Sequence, residues 1–150
     1  MQDTPRLALL RRRPKRTGEA SFFFFDHTFQ VEACKVLPGE YFVYNEDIVI
    51  QTVLGSCVAP CLFDPVTRIG GMTHFALPSH PTDLTVTARY GVHAMELLIN
   101  EIMKLGGDRR RLVAKVFGGA NVIRFGHPPW NIGTRNAAFI RTFLSTERIP

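Results

Sequence analysis

The chain is short of several things that would classify it at once. It has three cysteines (Cys34, Cys57, Cys61) in 150 residues and a single tryptophan. An odd number of thiols in a chain that reads as cytosolic argues against a disulfide framework. No apolar run approaches the roughly 20 residues that cross a bilayer. The block Phe22–Phe25 is shorter than a signal-peptide core of ~7–15 residues, and no small-x-small cleavage site follows it. Cytoplasmic localisation is therefore expected. Excess charge is also missing from most of the chain. Residues 1–18 carry six Lys/Arg against one Asp, and residues 19–150 carry twelve against twelve, so the net +5 belongs to the first 18 residues. A basic face of the kind nucleic-acid binders present is not indicated.

What is present is enough for one domain with its own core. Residues 1–20 lack periodicity and hold two prolines, so a disordered basic tail is expected, followed by a single domain over 21–150. Strand signals cluster early: the phenylalanine block at 22–25, "YFVY" after a Pro-Gly turn, the β-branched "IVIQTV" at 48–53, "CVAPCLFD" at 57–64 and "MTHFAL" after two glycines. Pro60 argues for an edge, a bulge or an irregular segment in the fourth of these. Residues 78–87 are polar and proline-containing, a loop. A helix is predicted over about 88–105. Val92, Met95, Ile99, Ile102 and Leu105 form its apolar stripe with Leu98 beside it, and Gly106-Gly107 forms its stop. "LVAKVF" reads as a strand ending at Gly118-Gly119, and a second helix is expected over about 133–145, with Asn131 as a possible cap. Strands before helices predict an α+β layered fold.

The chemistry centres on "TVLGSCVAPC", residues 52–61. Cys57 is open to three readings: packing residue, metal ligand or nucleophile. Four residues on a strand span ~13 Å, too far for Cys57 and Cys61 to share one zinc with sulfurs at ~2.3 Å. Cys34 and Cys61 read most simply as packing residues. A nucleophilic thiol needs a base within hydrogen-bond reach and a third group to fix that base. The Gly55-Ser56 pair permits a tight turn that aims backbone N–H groups at one point. Of five histidines, His27 lies near the tail, His80 and His127 sit beside prolines, and His93 is on the long helix. His74 lies in an apolar strand-like run. Hairpin pairing of 57–63 with 70–76 would bring it to the same end as Cys57. The bland alternative is a core histidine satisfied by backbone. Thr52 is placed to hydrogen-bond the imidazole. Gly118 and Gly119 read equally as a tight turn or as lining for an open site.

The blocks "LGSCVAPCLFDP", "IGGMTHFALP", "RYGVHAMELLINEIMKLGG", "AKVFGGANV" and "NIGTRN" occur in this order. Together they resemble the CheD family of chemoreceptor glutamine deamidases, over about residues 40–145. The resemblance implies a cysteine hydrolase fold like that of deamidating bacterial toxins, with layered mixed sheets and two main helices. It implies Cys57, His74 and Thr52 as the catalytic trio and no metal or organic cofactor. It implies methyl-accepting chemoreceptors as substrate, hydrolysis of their glutamines and in some members of glutamyl methyl esters, and the CheC phosphatase as a partner. Contact with membrane is then only indirect, through receptors. Two departures stand out. Pro60 occupies a position expected to be small or β-branched, which predicts a bent strand. Family members also continue past Pro150 with a closing strand segment. That leaves a second reading, a non-catalytic adaptor that binds receptors or a CheC-type phosphatase.

Overall fold

The computed structural model describes residues 4–77, 84–121 and 131–150, and of residues 84–89 the backbone alone. Helix α1 (Pro5–Arg12) is followed by strands β1 (Phe22–Asp26), β2 (Val31–Lys35), β3 (Tyr41–Tyr44), β4 (Val49–Gln51), β5 (Val58–Asp64) and β6 (Ile69–Thr73). Helix α2 (Leu84–Lys104), a 3-10 turn (Arg109–Arg111), strand β7 (Val113–Gly118) and helix α3 (Ile132–Thr146) complete the order. The strands form two sheets. A three-stranded sheet runs β1-β2-β4, with β2 and β4 parallel. A four-stranded antiparallel sheet runs β3-β6-β5-β7. The α+β class expected from the sequence is what the structure has.

Alternation along β5 and β6 gives the larger sheet two apolar faces. Val58, Leu62, Ile69 and Phe75 face α2 and α3, in a core with Met95, Leu98, Ile99, Ile102 and Ile140. Ala59, Cys61 and Met72 face the other way, onto Phe23, Cys34, Ile50 and α1. The small sheet and α1 therefore cover one face and the two long helices the other. Helix α2 buries the middle of its predicted stripe, while Val92 and Leu105 at the ends are exposed. Its backbone begins at Leu84, so 84–87 are helical where a loop was expected; residues 78–83 lie outside the described set.

The N-terminal segment corrects the expectation of a disordered tail. Thr4 caps α1 by accepting from the Leu7 N–H, and Pro5 takes the first turn, where its missing N–H costs nothing. Leu7 and Leu10 are buried, each contributing about 1.5–3 kcal/mol by leaving water. The charges that read as a solvated arm are paired instead: Arg6 with Glu32 and Glu46, Arg13 with Glu19, and Arg16 with Glu101. Every one of those carboxylates lies outside the helix. No local sequence pattern reveals that pairing.

Pro60 is the second correction. It sits in β5, an interior strand with β6 on one side and β7 on the other. The Val58 N–H donates to the Phe75 carbonyl on the β6 side. Residues two apart on a strand point their N–H groups the same way, so the Pro60 nitrogen also faces β6, where it has no hydrogen to give. The regular β5–β6 ladder accordingly covers Asp64 to Cys61 and stops. Beyond it only the isolated bridge Val58–Phe75 remains. The proline is tolerated inside the sheet because the ladder opens there, next to His74.

Candidate functional site

Three elements meet where that ladder opens. Thr52 directly follows β4, His74 directly follows β6, and Cys57 directly precedes β5. Val58 and Phe75 pair and point into the helical core. Their neighbours Cys57 and His74 therefore point to the opposite face, as diagonal cross-strand neighbours. Thr52 approaches that face from the small sheet, so the site lies at the seam between the two sheets.

The His74 backbone is held on the β3 side, its N–H donating to Glu40 O (3.0 Å) and its carbonyl accepting from Gly39 N–H (2.7 Å). The residue is 2% exposed. The Thr52 hydroxyl donates to the Val36 carbonyl at 2.7 Å and lies 2.8 Å from His74 Nδ1. A hydroxyl has one proton to give. With that proton on Val36, the Thr52 oxygen accepts from Nδ1–H, which leaves Nε2 with a lone pair. That nitrogen is buried and has no hydrogen-bond partner among the described residues. Burial pushes the His74 pKa below its ordinary 6.5, opposed by the Val36 carbonyl. The ring is thus a neutral base whose donor side is fixed and whose acceptor side is free.

Cys57 and Cys61 are partly exposed and Cys34 is buried. Burial pushes Cys34 up to about 12 and Cys61 up to about 11, which keeps both as thiols at neutral pH. The loop carrying Cys57 is gripped through its carbonyls. Gly55 O accepts from Ala120 N–H (2.9 Å) and Cys57 O from Gly119 N–H (2.8 Å). Ser56 O accepts from the side-chain amide of Asn136 at 2.8 Å. Gly118 is required here: its φ is +99°, and a Cβ on it would lie 2.1 Å from the Cys57 carbonyl oxygen. Gly118 and Gly119 thus sit against the backbone behind Cys57.

Of the other histidines, His27 and His93 are exposed, and His80 and His127 lie outside the described residues. Among the described residues no three His, Cys, Asp or Glu side chains gather to hold a metal ion. An open groove of about 600 Å³ runs past Thr52, lined by Phe29, Leu54 and Phe117 among others. Val53 and Phe117, 76% and 52% exposed, leave apolar surface beside the site. Two contributors were not singled out from sequence: the Val36 carbonyl and Asn136. Asn136 had a signal, since it is a polar residue on the stripe of α3 that also holds Ile140 and Phe143.

At the seam between its two sheets this α+β protein carries a partly exposed cysteine and, on the neighbouring strand of the hairpin, a buried imidazole anchored by a hydroxyl. A family model described as CheD chemotactic sensory transduction matches residues 76–150, half of the chain, and the chain belongs to the CheD family. Curated relatives extend the likeness across the site residues. A probable chemoreceptor glutamine deamidase CheD 1 of Albidiferax ferrireducens is 52% identical over 145 residues, covering 97% of this chain and 61% of that protein. One of the same name from Shewanella oneidensis is 56% identical over 131 residues, 85% of this chain and 63% of the relative. A probable chemoreceptor glutamine deamidase CheD of Laribacter hongkongensis is 53% identical over 131 residues, with the same coverage. The chain spans about three-fifths of the length of these relatives.

Proposed function

We propose that this chain is a chemoreceptor glutamine deamidase that works through a Cys57 thioester, on the cysteine hydrolase fold shared with deamidating toxins. The observation that carries the reading is the pair Thr52–His74 at 2.8 Å, with the Nε2 of the same ring unpartnered on the Cys57 face. His74 Nε2 takes the thiol proton, and the Cys57 sulfur bonds to the glutamine Cδ. The carbonyl electrons move onto oxygen, where backbone N–H groups of the Gly55-Ser56-Cys57 loop hold the anion. Collapse of this intermediate breaks the C–N bond, and His74 returns its proton to the leaving ammonia. Water then attacks the thioester with His74 as base, releasing a glutamate side chain and the free thiol. Thr52 orients the ring throughout. The same steps hydrolyse glutamyl methyl esters, with methanol as leaving group. The protein is cytoplasmic, residues 21–150 are the catalytic domain, its substrate is the cytoplasmic helical part of methyl-accepting chemoreceptors, and a CheC-type phosphatase is its partner. No metal or cofactor takes part in any step.

The test is incubation with a purified receptor cytoplasmic fragment and mass spectrometry of its peptides. The expected result is amide-to-acid conversion at specific glutamines, absent with Cys57→Ala. Binding without conversion overturns the reading in favour of an adaptor.

A further inference from the structure

The loop before β5 is tied at three successive carbonyls, and one of the ties is a side chain. Asn136 on α3 is fully buried. Its Nδ2 donates to Ser56 O at 2.8 Å and its Oδ1 accepts from Leu77 N–H at 2.9 Å. One amide thus bridges the chain just before β5 to the chain just after His74. Its helix is brought close by Gly133, where a Cβ would lie 2.3 Å from Ala120 O. Across a trans peptide the carbonyl and the N–H point in opposite directions, and the protein's described peptides are all trans. With Gly55 O turned to Ala120 and Ser56 O turned to Asn136, the Ser56 N–H faces away from Ala120 and the Cys57 N–H away from α3. The next peptide supports the logic: Cys57 O faces Gly119, and the Val58 N–H points oppositely, to Phe75 O.

We propose that Asn136 is a positioning residue that aims the Cys57 N–H, and with it the Ser56 N–H, at the oxyanion formed on attack by Cys57. This deepens the deamidase reading and rests on it for the identity of the substrate. The amide does not touch the reacting atoms. It fixes the orientation of the Ser56–Cys57 peptide, so that the donor needs no reorientation when charge appears. Its second bond, to Leu77, fixes the same peptide relative to the His74 strand.

A reversible aldehyde probe with a glutamine-like side chain separates this role from turnover. The Cys57 sulfur adds to the aldehyde carbon, the thiol proton passes to the former carbonyl oxygen, and that oxygen takes the oxyanion position. Alkylation of Cys57 by iodoacetamide displaces iodide and forms no oxyanion, so it reports the thiol alone. Asn136→Leu is expected to weaken aldehyde binding about tenfold or more, a fraction of the ~10²–10³ carried by one oxyanion donor in kcat, while the alkylation rate holds. Asn136→Asp is expected to bind the aldehyde as the parent does at low pH, where the carboxyl still donates to Ser56 O, and to weaken as pH rises. Unchanged aldehyde binding in Asn136→Leu overturns the proposal. Equal loss of aldehyde binding and alkylation also does, since it marks a merely structural role. Should both variants fail to fold, the parent decides: the Ser56 and Cys57 amide proton resonances must shift on aldehyde addition, and no shift overturns the proposal. Aldehyde binding that depends on Asn136 in a protein that leaves receptor glutamines intact would remove the deamidase reading and keep the positioning role.

Discussion

The β5–β6 hairpin has two ends, and each buries a polar side chain that the rest of the molecule treats differently. At the turn end, Asp64 has no exposed surface. Its carboxylate accepts from Arg111 twice, at 3.0 and 2.7 Å, from Asp108 N–H at 2.9 Å and from Val66 N–H at 3.0 Å. At the open end, His74 is as deeply placed, yet only one of its two ring nitrogens is served. A buried group left half satisfied costs stability that a fully satisfied one does not. The turn end is built to stay closed, and the open end keeps a ring nitrogen without a partner among the described residues. Pro60 reinforces the difference, because it stops the ladder on the His74 side of Cys61.

The comparison breaks at its strongest point if Cys57→Ala retains any conversion of receptor glutamine, since the open end would then not hold the nucleophile. Complete loss at unchanged melting temperature is expected. Asp64→Ala is the counterpart at the turn end. It leaves the Arg111 guanidinium with Asp108 alone and strips three backbone N–H groups of their acceptor, so the largest fall in Tm of any single variant considered is expected, read by thermal denaturation. Turnover per folded molecule, measured well below the new Tm, should hold. A fall in kcat without a fall in Tm would mean that the two ends are not separate in role. Thr52→Val sharpens the comparison at the other end. It removes the acceptor for Nδ1–H but keeps the shape, so kcat should drop by about ten- to a hundredfold, within the usual worth of positioned acid–base chemistry. Thr52→Ser should recover most of that loss, and steady-state kinetics of the pair checks it.

Much of this site was legible in the chain, for uneven reasons. Thr52, Cys57 and His74 are expected together because a nucleophilic thiol needs those residue types, hairpin pairing sets their register, and the CheD resemblance implies the same three. The turn end was not read, because Asp64 meets Arg111 47 residues away and only folding brings them together. The same holds for α1: Pro5, Leu7 and Leu10 are consistent with a short helix, but its Arg6 is paired by Glu32 and Glu46, and Arg16 beyond its end by Glu101, all from distant elements. A proline denies one ladder bond, so the sequence predicts an edge, a bulge or an irregular segment at Pro60. The structure shows which bond is denied, and that an interior strand can spare it. Asn136 stood in a quoted block and on an apolar stripe, but its role depends on the carbonyl it meets, and backbone partners leave no mark in a sequence.

The smallest expected effect is a pair of steps in stability with pH, one for each end. The His74 pKa is lowered from 6.5 by burial, so the unfolded chain binds this proton more readily than the folded one. Stability then falls as pH drops through about 6.5, and levels off once the folded ring is protonated too. The Asp64 carboxyl is held well below its ordinary 3.8, first by the Arg111 hydrogen bonds and against the effect of burial. Its contribution is complete above that value and is lost as pH falls below it, again because the unfolded state gains the proton first. The two steps have one sign and separate windows. Chemical denaturation across acid and neutral pH reads them both: Asp64→Asn should shrink the lower step, which the lowered carboxyls of Asp26, Glu32, Glu96 and Asp108 share, and leave the upper, while His74→Gln should erase the upper and leave the lower. The acid limb of kcat/KM should follow only the upper group and lie below pH 6.5, because the base is the neutral ring. An acid limb that moved with Asp64→Asn would join the two ends chemically, which their separate hydrogen-bond networks argue against.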